Sequence, residues 1–70
     1  MAITPAQCRA ARALVEMSQA ELAEAANVGL STVRGFENGT RTPIPNNIAA
    51  IRNALEAAGV EFIERGVRLK

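Results

Sequence analysis

Residues 18–39, SQAELAEAANVGLSTVRGFENG, constrain this chain more than any other stretch. Ser18 and Glu21 stand three apart, the spacing at which a serine hydroxyl and a glutamate carboxylate each satisfy a free amide at a helix start. Leu22, Ala23 and Ala26 then share one face of a short helix over about residues 19–26. Asn27-Val28-Gly29 interrupts that helix, and a second one follows over 30–38, with Val33, Phe36 and Glu37 turned inward. Asn38-Gly39 stops it, because glycine takes the left-handed cap conformation without a side-chain penalty. The pattern dictates two short helices joined by a tight turn, and neither can bury its apolar face without the rest of the chain.

The flanks supply what these two helices need. Thr4 caps and Pro5 opens a first helix running to Glu16, on which Cys8, Ala11, Arg12 and Val15 recur at one face. Arg12 and Glu37 are therefore opposite charges aimed at the core from different helices. A lone buried charge is costly and a paired one is tolerable, so the spacing predicts a structural Arg12–Glu37 salt bridge. Residues 39–45, GTRTPIP, form a loop that its two prolines keep from helix. A fourth helix is expected over about 46–58, with Ile48, Ile51, Arg52 and Leu55 inward and Gly59 as its stop.

The last segment changes period. Val60 and Phe62 alternate with polar residues, as do Val67 and Leu69, which predicts a β-hairpin with strands near 60–63 and 67–70. Glu64-Arg65-Gly66 reads as a three-residue loop with the glycine at the positive-φ position. The expected fold is mainly α: a four-helix domain over residues 1–58, with a C-terminal hairpin over 59–70. An isolated hairpin is marginal in water, so it packs on its own helices, pairs across a homodimer, or does both.

Seventy residues hold one domain with a small core. The apolar fraction of 49% is rich in alanine and the only aromatics are Phe36 and Phe62, which adds to the case for a partner subunit. The chain has one cysteine and no histidine, so it offers neither an internal disulfide nor metal-ligand spacing. No nucleophile–base pair or paired carboxylates replace the missing histidine, so no catalysis is expected. Nor is a cofactor or small-molecule ligand indicated. No run is apolar and long enough to span a bilayer, and Met1-Ala2-Ile3 lacks a secretion signal's charge, which suits a reduced, cytoplasmic setting.

A net charge of +1 does not by itself imply nucleic acid. Its distribution is more informative: between residues 27 and 53, Arg34, Arg41 and Arg52 face Glu37 alone. The outward stripe of the third helix is Ser31, Arg34, Gly35 and Asn38, with Leu30 at its leading tip. If that helix enters a DNA groove, Leu30, Ser31, Arg34 and Gly35 are the candidates for base contact. Arg34 has the planar fork that matches guanine O6 and N7, and Ser31 bonds to either base type. Leu30 would meet a thymine methyl or else cover the core edge. Gly35, unfavourable inside a helix, implies close approach to a groove floor or a facing helix. Gln19, Asn38, Thr40, Arg41 and Thr42 surround the stripe as candidate phosphate contacts.

These residues resemble the phage-repressor (Cro/CI, Xre-type) helix-turn-helix domains, with a lambda-repressor-like fold over roughly residues 5–58. The matching positions are Gln19, Glu21, Leu22, Ala23, Val28, Ser31, Thr32, Val33, Glu37, Asn38 and Gly39, together with Arg12. The resemblance implies a phage or bacterial transcription regulator, a repressor binding double-stranded operator DNA as a homodimer, with Gln19 and Asn38 on the backbone. It also implies the Arg12–Glu37 pair. Leu30 and Gly29 depart from the pattern, which usually has a polar base reader at the tip and a capping Ser or Thr before it. The hairpin stands where a fifth helix is usual. An antitoxin, or a protein-interaction module on the same fold, is the competing reading.

Overall fold

The computed structural model describes residues 2–70. Its elements are α1 (Pro5–Leu14), α2 (Gln19–Ala26), α3 (Leu30–Asn38), α4 (Pro45–Ala57), β1 (Val60–Ile63) and β2 (Gly66–Leu69). The fold is mainly helical, with the two strands paired as a C-terminal antiparallel hairpin.

Both expected serine and threonine caps form. The Thr4 hydroxyl accepts from the Gln7 amide and the Ser18 hydroxyl from the Glu21 amide, while the Gln7 and Glu21 side chains return the bond to the cap residues. The first three helices end alike. Met17, Val28 and Thr40 each donate a backbone N–H to a carbonyl five residues back, that of Arg12, Ala23 and Gly35 respectively. Just before each donor sits a left-handed residue, Glu16, Asn27 or Gly39. This is the Schellman closure, which uses carbonyls that the helix leaves unpaired. It also corrects the first helix, expected to reach Glu16 but ending at Leu14. Apolar spacing carries no stop signal there, and glutamate is an unusual occupant of a left-handed cap.

The core draws on the four helices and β1, with Val67 of β2 half-buried against it. Cys8 and Ala11 of α1, Leu22, Ala23 and Ala26 of α2, Val33 and Phe36 of α3, and Ile51 and Leu55 of α4 are buried together. Ile3, Val60 and Phe62 close it from the two ends of the chain. Arg52, on the inner edge of α4, lays its guanidinium 5.8 Å from the centre of the Phe62 ring and bonds to Glu56 at 3.2 Å. Its charge thus stays at the rim while its stem packs.

In the hairpin, Val60 pairs with Leu69, Phe62 with Val67 and Ile63 with Gly66. The connection is therefore two residues, Glu64 and Arg65, and not the three expected. The positive φ falls on Arg65, at +62°, while Gly66 belongs to the strand. The hairpin lies against its own helices, with Val60 and Phe62 buried beneath it. Its fastening is Gln7, a buried side chain the sequence analysis passed over. The Gln7 amide donates to the carbonyls of Ile63 at 2.8 Å and Gly66 at 3.1 Å, and its oxygen accepts from the Thr4 amide at 2.9 Å.

Replacing Gln7 with leucine should cost about 1–3 kcal/mol, since it removes these bonds without removing their partly buried partners. Hydrogen exchange would show the loss as faster exchange in residues 60–69 than in α2 and α3. Equal protection of the hairpin in both proteins would show that apolar packing alone holds it.

Candidate nucleic-acid interface

The orientation of α3 is set at its inner side by Glu37, which is only 2% exposed. One carboxylate oxygen accepts from Arg12 Nη2 at 2.7 Å and from Gln19 Nε2 at 2.9 Å. The other accepts from Arg12 Nε at 2.7 Å and from the Cys8 thiol at 3.1 Å. Arg12 also donates to the carbonyl of Met17 at 3.0 Å, and Arg9 to that of Glu37 at 2.5 Å. One side chain thus joins α1, the start of α2 and α3. The two inward charges expected from helical spacing meet as a bidentate ion pair, the strongest of the common polar geometries.

These bonds determine the protonation states. Burial pushes the Glu37 carboxyl up, but the bonds from Arg12, Gln19 and Cys8 and the charge of Arg12 outweigh it and hold the carboxyl below its ordinary range. Burial also pushes the Cys8 thiol up, and the neighbouring carboxylate pushes it further. Cys8 therefore remains a thiol and keeps its proton for Glu37.

With Glu37 locked inward, the opposite side of α3 is open. Ser31, Arg34 and Asn38 are all exposed along it. Around it lie Gln19, half-buried at the first position of α2, and the exposed Thr40, Arg41 and Thr42 of the loop after α3. The side chains of Arg34 and Arg41 form no hydrogen bond or ion pair among the described residues. The amides of Gln19 and Ala20 lie in the first turn of α2, where a helix has no internal acceptors for them.

Two expected base contacts are placed differently. Gly35 is buried, covered by the loop that follows its own helix. The amides of Thr40 and Arg41 both donate to its carbonyl, at 3.0 and 3.1 Å, and a methyl group at position 35 would stand 2.8 Å from Arg41 Cβ. The close approach that its sequence position implied is thus to Arg41, and Gly35 itself presents nothing to a groove. Leu30 is half-buried and packs against the core, the second of the two roles left open for it. Gly29, at the α3 cap, makes no side-chain cap bond, which leaves the first α3 amides without one.

The sequence matches the Helix-turn-helix family HTH_3 over residues 9–62, most of the chain and both helices of the motif. The chain belongs to this family. It is a DNA-binding helix-turn-helix domain of the Xre/Cro/CI type, in which α2 and α3 are the motif itself. No curated protein matches the sequence. In this helix-turn-helix domain, no described helix is long and apolar enough to cross a membrane.

Sequence reasoning did not reach two features of the site: the tie from Gln19 to Glu37, and the grip of Arg9 on the last turn of α3. In the sequence Gln19 stands out only as a candidate phosphate contact and as a position that matches the family pattern. The bond partner lies 18 residues away and needs the fold to bring it near.

Proposed function

We propose that this domain is a sequence-specific transcriptional regulator, a repressor that binds a palindromic operator as a homodimer with α3 in the major groove. The observation that carries this reading is the two-sidedness of α3. Its inner side is locked by four hydrogen bonds to Glu37, while its outer side presents the exposed Ser31, Arg34 and Asn38. Arg34 is the principal reader, suited to a guanine edge, and Ser31 reads beside it. Gln19, Asn38, Thr40 and Thr42 hold the flanking phosphates. A primary amide has two protons, so Gln19 has one for Glu37 and one for a phosphate oxygen. That bond makes the anchor rigid with respect to the reader.

Support for the homodimer comes from the hairpin. Its two-stranded sheet leaves an outer edge on each strand unpaired, and Ile63 and Leu69 are exposed apolar residues beside those edges. Pairing of residues 60–70 between two copies would satisfy one of these edges and relate two recognition helices by a two-fold axis.

Selection of bound sites from random duplex DNA tests the function directly. A palindromic preference is expected, with a guanine read by Arg34 in each half-site. Arg34→Ala should relax preference at that position by about 1–3 kcal/mol and leave the others intact. Uniform weakening across all sequences with preference at that position intact would instead make Arg34 a backbone anchor.

A further inference from the structure

Arg41 belongs by sequence to the loop after the recognition helix, yet its side chain lies on the helix. Positioned as a β-carbon would be on Gly35, a methyl group would meet Arg41 Cβ at 2.8 Å, Cδ at 3.4 Å and Nε at 3.6 Å. The whole stem of Arg41 thus runs along the space that any larger residue at position 35 would fill. The backbone is fixed to match, since the Thr40 and Arg41 amides both end on the Gly35 carbonyl. Position 35 lies about 40° around the helix from Ser31, on the margin of the outward stripe. The Arg41 side chain, as far as Nε, therefore lies against the flank of α3.

We propose that Gly35 and Arg41 form one composite reading position: Gly35 contributes the space, and Arg41 the planar fork that contacts a base edge, a guanine in the major groove. The proposal rests on the DNA-binding reading of α3 and gives Arg41 a different task from the phosphate contact its place in the sequence suggests. A glycine in mid-helix costs stability relative to alanine. Here its missing side chain is the seat of another residue's stem. The chemistry that distinguishes the two tasks is the fork itself. Lysine replaces arginine well as a point charge near phosphate but cannot make the paired bonds to O6 and N7.

The test compares Arg41→Ala, Arg41→Lys and Gly35→Ala with the wild-type full chain, on the selected operator and on operators with each base pair changed in turn. Circular dichroism melts establish that each variant is folded. Both Arg41 variants should lose roughly 5- to 150-fold of discrimination at one base pair per half-site, distinct from that read by Arg34; on other DNA Arg41→Lys should change little and Arg41→Ala should cause a smaller, sequence-independent loss. Gly35→Ala, which displaces the stem, should give the same pattern with Arg41 still present. Uniform weakening by Arg41→Ala with rescue by Arg41→Lys would overturn the proposal and leave α3 a DNA reader. Unchanged discrimination in folded Gly35→Ala would also overturn it. Failure of the wild type to prefer any sequence would overturn it together with the function on which it rests.

Discussion

Glu37→Gln should destabilise the domain by about 3–5 kcal/mol, the cost of breaking a buried ion pair from one side. The substitution is nearly isosteric, so the loss is electrostatic. Glutamine offers one acceptor oxygen where Arg12, Gln19 and the Cys8 thiol together direct four donors at two. Its own amide must then face at least one of those donors. Set against a total stability of about 5–15 kcal/mol for natural domains, that loss leaves a 70-residue chain close to unfolding. Arg12→Met should behave similarly because it strands the carboxylate. The double variant Arg12→Met/Glu37→Leu should recover part of the loss, as apolar replacement of a whole buried pair often does. Denaturant midpoints measure all of these, and wild-type midpoints in both single variants would show that the pair contributes little.

The same cluster governs the acid limb of stability. The Glu37 carboxyl is held below its ordinary value of 4.5 in the folded protein. Between the folded value and 4.5 the unfolded chain binds more protons, so stability rises with pH across that interval. The contribution is complete above 4.5 and disappears as pH falls through the folded value. Glu21, held down by its bonds from Ser18, and Glu61, held down by Arg68, move in the same direction from exposed positions. In Glu37→Gln the acid limb should flatten, leaving only what those two surface groups supply.

How far the sequence discloses this architecture depends on the range of the interaction. Caps and stops such as Thr4, Ser18 and Gly39 act within a few residues and are legible from spacing. Arg12 and Glu37 are legible for a different reason: a charge on an apolar stripe needs a partner, and each helix offers one. The left-handed Glu16 carries no such mark, since glutamate has no preference for that conformation. Gln7 shows half its role in the threonine three residues before it; the other half, 56 and 59 residues away in the hairpin, exists only once the chain has folded. Hairpin register is similarly hidden. With Gly66 in either the loop or the strand the alternation of Val67 and Leu69 is unchanged, and only the pairing of Ile63 with Gly66 separates the two. Gly35 marks a close approach in the sequence, but it cannot say that the approaching group comes from Arg41.

The chain carries a net charge of only +1, and the proposed phosphate contacts, Gln19, Asn38, Thr40 and Thr42, are all neutral amides and hydroxyls. Salt dependence should therefore arise from few cations, chiefly Arg34 and Arg41 of each subunit. For the proposed homodimer these four charges, set in the groove with their forks on bases, allow a log–log slope no steeper than about −3.6, or at most a roughly 100-fold loss of affinity between about 50 and 200 mM salt. A single subunit would show about half that slope. A titration of the selected operator across that salt series tests most directly whether the open side of α3 meets DNA. A linear fall is expected, no steeper than that slope and shallower in Arg34→Ala. Affinity that stays level with salt, or no binding to any duplex by the folded protein, would contradict it.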